Sequence, residues 1–209
     1  MPRQERAERT RAVILDAAAA VFDEHGFAAA SLSDILVKAG VTKGALYFHF
    51  ASKEELAQAL IDEQFGVWDT AQGAELGLRT LIELSFRMAE SLREDVRVRA
   101  GIRLVIEQGT FTSPAPDAYR WWIALCRDCL VAAQQDGDLR EGLEPDAVAA
   151  FMVASFTGVQ TTSQVLAGRA DLADRMRDMW QIVLPGLVPP RRSARFKSIV
   201  ESGAAAISA

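Results

Sequence analysis

Residues 31–52 carry three helix-start signals within only 22 residues. Ser31, Thr42 and Ser52 are short polar residues whose side-chain oxygens can accept backbone N–H groups in the first turn of a helix. Gly40 ends the first of these helices two residues before Thr42, as glycine commonly does at a helix C-terminus. This spacing predicts a helix, a tight turn and a short helix that reaches Phe50.

The rest of the chain is also predicted to be helical. Apolar residues recur at three- and four-residue spacing, and strand-like alternation is missing. The predicted helices are Gln4–His25, with a stop at Gly26, then a helix after Ser52 that loses its pattern around Gly66–Gly77, then Leu78–Leu92, Val96–Gln108, Asp117–Gln135, Pro145–Ala167 and Leu172–Leu187. We therefore expect an all-α fold: an N-terminal three-helix helix-turn-helix domain over residues 1–52, a larger helical domain over 53–190 and a frayed C-terminal tail over 191–209.

Composition narrows the class of protein. Half of the 209 residues are hydrophobic, and two cysteines, Cys126 and Cys129, suit a reducing cytosol better than a secreted disulfide scaffold. The net charge of −5 confines any DNA-binding surface to a local patch. The uncharged stretch Ala147–Gly168 is long enough to cross a bilayer, but its many hydroxyl and amide groups favour a helix buried by other helices or by a second subunit. We expect a cytoplasmic protein with no signal peptide and no membrane association.

The short helix after Thr42 has an outer surface suited to DNA. Leu46 and Phe50 lie four residues apart and should anchor it to the other helices. The residues left outside are Lys43, Gly44, Tyr47 and His49. Lysine supplies a cation, glycine permits close backbone approach, and hydroxyls and free N–H groups bind phosphates, as a helix presented to the major groove requires. By pattern alone, a short helix that merely closes a small core is an equally good interpretation.

A resemblance to a known family favours the DNA-binding interpretation. The segment VTKGALYFHFASKEEL, residues 41–56, resembles the turn, recognition helix and following cap of the TetR family of repressors. TRAVILDAAAAVFDEHGF and SLSDILVKAGV, which precede it, resemble the same family in order and spacing, so that the first 65 residues or so are covered. The resemblance implies groove and phosphate contacts by Thr42, Lys43, Gly44, Tyr47, His49 and Lys53, with added backbone contacts by Ser33, Arg3 and Arg6. For His49, a partly buried packing role stays open.

A narrower resemblance extends into the C-terminal helices. RQERAERTRAVILDAA and the turn segment are most similar to the gamma-butyrolactone autoregulator receptors, and RMAESL, RVRAGIRLVIEQ, YRWWIAL, FTGVQTTSQ and LPGLVP resemble that branch more diffusely. Such receptors hold a small molecule against a tryptophan, which implies this role for Trp122. Its neighbour Trp121 points about 100° away around the helix and can pack elsewhere. Polar groups for the same pocket are expected from Gln64, Ser155, Thr157 and Thr161.

The resemblance also implies a homodimer. Leu172–Leu187 is strongly amphipathic, and by its pattern alone it could form either an internal core or a dimer interface. In this family the last two long helices of each subunit form a four-helix interface. The expected interface residues are Phe156, Gln160, Met176, Met179, Trp180 and Val183. A twofold dimer binds a roughly palindromic operator with its recognition helices about 34 Å apart, or a multiple of that. A ligand would release the operator by favouring a conformer that no longer fits, with the fourth helix as the lever.

The motifs do not support an enzyme. The sequence has no P-loop, dinucleotide fingerprint, nucleophile elbow or paired-histidine zinc motif, and neither a cofactor nor a metal is expected. Cys126 and Cys129 form a lone CxxC, which favours small buried side chains over redox or metal chemistry. We therefore predict a ligand-responsive repressor with a butyrolactone-type signal. Two alternatives remain: an orphan regulator that senses an antibiotic or another metabolite, and a helical ligand-binding or interaction module without specific DNA binding.

Overall fold

The computed structural model describes residues 3–69, 75–107 and 117–208, with the side chains of Arg3, residues 64–69 and Ser208 left aside. Within these ranges the chain forms helices and no strands, which confirms the predicted all-α class. The helices are α1 (Arg3–Ala29), α2 (Leu32–Ala39), α3 (Lys43–His49), α4 (Lys53–Asp69), α5 (Leu78–Glu94), α6 (Val96–Glu107), α7 (Asp117–Gln135), α8 (Pro145–Ala167), α9 (Leu172–Leu187) and α10 (Ser193–Ser208).

The three predicted caps are present. Ser31 Oγ accepts the backbone N–H of Asp34 at 3.1 Å, and the Asp34 carboxylate accepts the Ser31 N–H in return, which completes a capping box. Thr42 Oγ1 accepts the N–H of Ala45 at 3.2 Å, and Ser52 caps α4 in the same way. Gly40 ends α2 with φ 64°, a left-handed conformation that favours glycine. The helix, tight turn and short helix are therefore confirmed.

The predicted stop at Gly26 is a break within α1. Gly26 has φ 73° and ψ 175°, and the helix resumes for one short turn to Ala29. Backbone groups freed by the break are bound by α6, since Arg103 donates to the Asp23 carbonyl at 2.7 Å and Glu107 accepts the Phe27 N–H at 2.8 Å. This combination of φ and ψ is essentially confined to glycine, and a Cβ atom at Gly26 would also displace the Arg103 guanidinium, which lies 2.7 Å from its position.

Two further arginines join α6 to the N-terminal helices. Arg97 donates to the carboxylates of Asp16, on α1, at 2.7 Å and of Glu63, on α4, at 2.9 Å. Two residues further along α6, Arg99 donates to Asp23 at 2.8 Å. The pairs with Glu63 and Asp23 are partly buried, the pair with Asp16 is exposed, and the three join residues 34, 76 and 81 positions apart in sequence. They make α6 part of the structure that carries the helix-turn-helix.

The chain divides into two compact units. The first is residues 1–70 with 94–115, and the second is residues 71–93 with 116–209. In the first, α1 packs on α2, α3, α4 and α6. In the second, α7 packs on α8, α8 on α9 and α9 on α10. This division differs from the predicted boundary at residue 52 because α4 and α6 both pack with the N-terminal helices.

The prediction of a frayed tail is wrong. Residues 193–208 form α10, which packs on α9. The side chains that α10 buries, at three- and four-residue spacing, are Phe196, Val200, Ala204 and Ile207. Gly203 lies so close to α5 that a Cβ there would be 2.5 Å from the Phe86 ring. Arg93 donates to the Ile207 carbonyl and so also holds the end of α10.

The long uncharged segment forms α8, with the predicted bounds Pro145–Ala167. None of the helices in the described ranges, α8 included, is long and apolar enough to cross a membrane. One side of α8 is instead exposed without carrying a charge. This outer face of α8 consists of Phe151, Ala154, Gly158, Thr161, Thr162, Val165 and Leu166.

Candidate DNA-binding surface and effector site

Helix α3 is fixed by its two predicted anchors. Leu46 is fully buried and Phe50 is 2% exposed. The Thr42 cap orients the first turn, and Lys43 and Gly44 stand outside with Thr42 in solvent. The buried side of this seven-residue helix thus determines its exposed side. Sequence reasoning placed these residues correctly.

An aromatic and cationic cluster covers the exposed side of α3. Tyr47 is 46% exposed, and the ammonium of Lys43 lies 5.7 Å from the centre of its ring, within range of a cation–π contact. His49 is half-buried and meets Phe48 edge to face, with ring centres 5.0 Å apart. The arrangement presents one cation, a phenol and an imidazole along a single short helix. It can bind phosphates and base edges.

Phe48 belongs to this surface, and sequence reasoning missed it. Its side chain is 75% exposed. The signal was available, because residues two positions apart on a helix point to nearly opposite sides and Leu46 was predicted to be buried. The sequence pattern did not mark Phe48 as a candidate because its side chain carries neither a charge nor a hydrogen-bonding group.

Lys53, which the family resemblance also assigned to DNA, makes its contacts within the protein. Its ammonium donates to the carbonyls of Phe27 at 2.8 Å and Ala30 at 2.9 Å, and it sits 4.1 Å from the centre of the Phe27 ring. These contacts hold the end of α1 beside the start of α4. In the free protein Lys53 therefore positions the helix-turn-helix, and its predicted phosphate contact stays a prediction.

We expect Lys53→Met to lower the free energy of unfolding by about 2 kcal/mol, because two carbonyls lose a charged donor while the apolar stem is kept. Urea denaturation measures this. The same substitution at Lys38, an exposed lysine on α2, is the matched control and should leave stability unchanged. Equal midpoints for Lys53→Met and the unaltered protein would contradict the assigned contacts.

The residues predicted to touch the DNA backbone are distributed along α1 and α2. Ser33 is exposed in the first turn of α2, and Arg6 is exposed near the start of α1. The side chain of Arg3 lies outside the described part of the chain. The DNA-backbone contacts of all three remain predictions.

Trp122, the predicted effector contact, is buried in the second unit. It is 9% exposed, and its ring meets that of Tyr119 edge to face at 5.1 Å. Its indole N–H has no hydrogen-bond partner among the described residues. A buried donor without a partner costs about 1–3 kcal/mol, so such groups usually face a water or a ligand.

The predicted polar residues of the pocket are spread along α8. Ser155 and Thr157 are half-buried, and Thr157 donates to the Val153 carbonyl at 2.9 Å. Thr161 is exposed and accepts a hydrogen bond from Gln160 at 2.9 Å. The side chain of Gln64 lies outside the described part. A shared pocket for these groups remains a prediction.

The predicted dimer interface needs a correction. Met176 and Trp180 are fully buried within the single chain, Met179 is 8% exposed and Gln160 is 2% exposed. Trp180 also donates to Ser85 Oγ at 2.8 Å. The apolar face of α9 is covered by the chain's own helices, so Met176 and Trp180 have no exposed surface to offer a second subunit. Met179 and Gln160 are nearly buried and stay predicted interface residues. Phe156 and Val183 are half-buried and stay predicted interface residues.

The CxxC pair has the environment of structural cysteines. Burial raises the pKa of Cys126 to about 12 and also raises that of Cys129. Such thiols stay protonated at neutral pH and are poor nucleophiles and metal ligands. In the ranges that the structure describes, no group of three or more potential ligands is arranged to hold a metal ion.

The described residues combine a helical fold with a tight turn and a capped short helix that exposes a cation and aromatic side chains, which are the features of DNA-binding regulators of the helix-turn-helix class. Comparison with known protein families supports this assignment to the helix-turn-helix class. Residues 14–60 match the family described as bacterial regulatory proteins, tetR family, and residues 76–189 match the tetracyclin repressor-like C-terminal domain. The chain therefore belongs to the TetR family of bacterial transcription regulators.

Individual relatives are similar over nearly the whole chain. The A-factor receptor protein of Streptomyces griseus is 42% identical over 197 residues, which are 94% of this chain and 70% of that protein. A crystal structure of an ArpA-like gamma-butyrolactone receptor has a TM-score of 0.83 at 34% identity, over 96% of this chain and 99% of that one. CprB from Streptomyces coelicolor, in complex with its biological operator, has a TM-score of 0.84 at 34% identity, over 95% and 98% of the two chains.

Proposed function

We propose that this protein is a cytoplasmic, homodimeric repressor whose α3 helices bind a roughly palindromic operator, and that a small amphiphilic ligand of the gamma-butyrolactone type releases it. The observation that carries the proposal is the buried Trp122 indole, whose N–H has no partner among the residues that the structure describes, in a chain whose recognition helix is fully formed. A regulator with both features has a site where a ligand can bind and a DNA contact that ligand binding can disrupt.

The DNA contact is supported by the order of groups along α3. The capped N-terminus and Lys43 favour phosphate, and Gly44 allows close approach. Tyr47 and His49 then supply hydrogen-bonding groups one turn further along. Arg3, Arg6 and Ser33 would add phosphate contacts that fix the register without reading sequence.

The effector is inferred from the chemistry at Trp122 together with the relatives. A buried indole N–H suits a ligand that offers a carbonyl oxygen beside a hydrophobic chain, as an acylated lactone does. The receptors named above bear A-factor or gamma-butyrolactone in their names. An antibiotic with the same combination of groups would identify the protein as an orphan regulator.

The dimer is supported by the outer face of α8. Large apolar side chains on the outside of α8 and α9 are strongly exposed: Val165 by 77%, Leu166 by 67%, Phe151 by 55% and, on α9, Ile182 by 78%. Exposed apolar side chains of this size, on the uncharged outer face of α8 and on the neighbouring helix α9, are typical of a protein interface. Gly158, where a Cβ would meet nothing within 4 Å, would let a partner helix approach closely.

The proposal is tested by a DNA mobility shift with the promoter region upstream of the protein's own gene, at about 0.15 M salt and with excess nonspecific competitor. A specific complex that a synthetic acyl-gamma-butyrolactone dissociates supports the receptor function. A specific complex that the lactone leaves intact supports an orphan regulator. If no sequence selected from a random library is bound, the repressor proposal fails.

We expect Trp122→Phe to raise the lactone concentration needed for release about fivefold, the value of one neutral hydrogen bond, while operator affinity stays the same. Titrating the mobility shift with lactone measures this. Trp121→Phe on the adjacent position is the matched control and should release at the original concentration. An unchanged release curve for Trp122→Phe would remove Trp122 from the effector site.

A further inference from the structure

Phe48 projects from the centre of the surface that α3 presents. Successive helical residues lie about 100° apart, so Gly44 and Phe48, each two positions from the buried Leu46, point almost directly away from the protein. Among the described residues, no aromatic side chain is as exposed as Phe48, at 75%. Gly44 carries no side chain on the same side, which leaves Phe48 as the group that protrudes furthest.

An isolated exposed phenylalanine is unremarkable on an ordinary surface. On a recognition helix it is not, because every group there must exchange water for DNA on binding. The edge-to-face contact with His49, at 5.0 Å between ring centres, also restricts where the Phe48 ring can turn. The ring thus lies on the exposed side of α3, next to His49.

The chemistry of the ring restricts what it can recognise. Phenylalanine neither donates nor accepts a conventional hydrogen bond. Among the groups on base edges in the major groove, the C5-methyl group of thymine is the apolar one. We propose that Phe48 determines operator specificity by contacting the methyl group of one thymine in each half-site. This inference rests on the proposed role of α3 as the recognition helix.

The test removes the methyl group and the ring separately. A duplex that the protein selects from a random library is made in versions with each thymine replaced by deoxyuridine, which lacks only the methyl group. At one thymine per half-site, we expect the replacement to weaken binding by the unaltered protein about fourfold, the value of one buried methyl group. For Phe48→Ala, replacement at that same position should have no further effect.

The control and the contrary outcomes are equally specific. Ile106→Ala removes an apolar side chain that is 48% exposed on α6, and it should keep the full deoxyuridine penalty. If Phe48→Ala weakens binding but every deoxyuridine penalty persists, the ring packs on deoxyribose and the proposal is overturned. It is also overturned if no deoxyuridine weakens the unaltered protein. Failure of the unaltered protein to select any sequence would instead refute the recognition role of α3 itself.

Discussion

Gly44→Leu is expected to reduce operator affinity about 100-fold, because a bulky side chain on the DNA-facing side of α3 holds the helix away from several contacts worth about 1–3 kcal/mol each. Folding should be unaffected, since a Cβ at Gly44 would meet nothing within 4 Å. Fluorescence anisotropy with labelled operator measures the affinity, and thermal unfolding monitors the fold.

Gly44→Ala separates DNA binding from stability. Alanine should raise the free energy of unfolding by about 0.5–1 kcal/mol, since glycine is a poor helix former, while operator affinity still falls. A mutation that stabilises the protein and weakens its binding cannot act through unfolding. Gly44→Leu with unaltered operator affinity would mean that α3 does not approach DNA by this side.

Glutamate at both Val165 and Ile182 is expected to convert the dimer to monomers and to lower operator affinity at least about 100-fold, because an unpaired charge in an interface costs about 3–5 kcal/mol. Each substitution occurs twice in a twofold dimer, so the penalties accumulate. The monomer should still fold, since these side chains are 77% and 78% exposed. Sedimentation velocity gives the oligomeric state.

Val131→Glu provides the matched control, because Val131 is an exposed valine on α7 and is not one of the residues of the outer face of α8. It should leave both the dimer and operator binding intact. If the double variant still sediments as a dimer, the subunits associate through another surface, and the proposed interface has to be abandoned.

The parts that the sequence predicted well depend on local interactions. The Ser31 and Thr42 caps, the Gly40 termination and the Leu46 anchor each involve residues within four positions of one another. Helices α7, α8 and α9 also begin and end where predicted, since glycine, proline and polar residues define them locally. The exposed side of α3 was predicted from the same short-range pattern.

The features that could not be predicted from the sequence depend on contacts between residues far apart in the chain. The amphipathic face of α9 was assigned to a second subunit, but α10 and Ser85 of α5 cover it within the chain. Residues 191–209 looked too small and basic to fold, yet Phe196 and Val200 find a place against α9. Lys53 likewise resembled a residue that binds DNA. Only the positions of the Phe27 and Ala30 carbonyls show that its ammonium is hydrogen-bonded within the protein.

The attachment of α6 to α1 and α4 has a consequence for how such regulators can be recombined. Because the first compact unit comprises residues 1–70 together with 94–115, the DNA-binding module is discontinuous in sequence. A chimera joined once, after α4, would place α1 beside a foreign α6 and separate Arg97 and Arg99 from Asp16, Glu63 and Asp23. A DNA-binding module that is to be exchanged in this protein therefore consists of two segments of the chain. A new operator preference has to be introduced together with the α6 helix of the same donor protein.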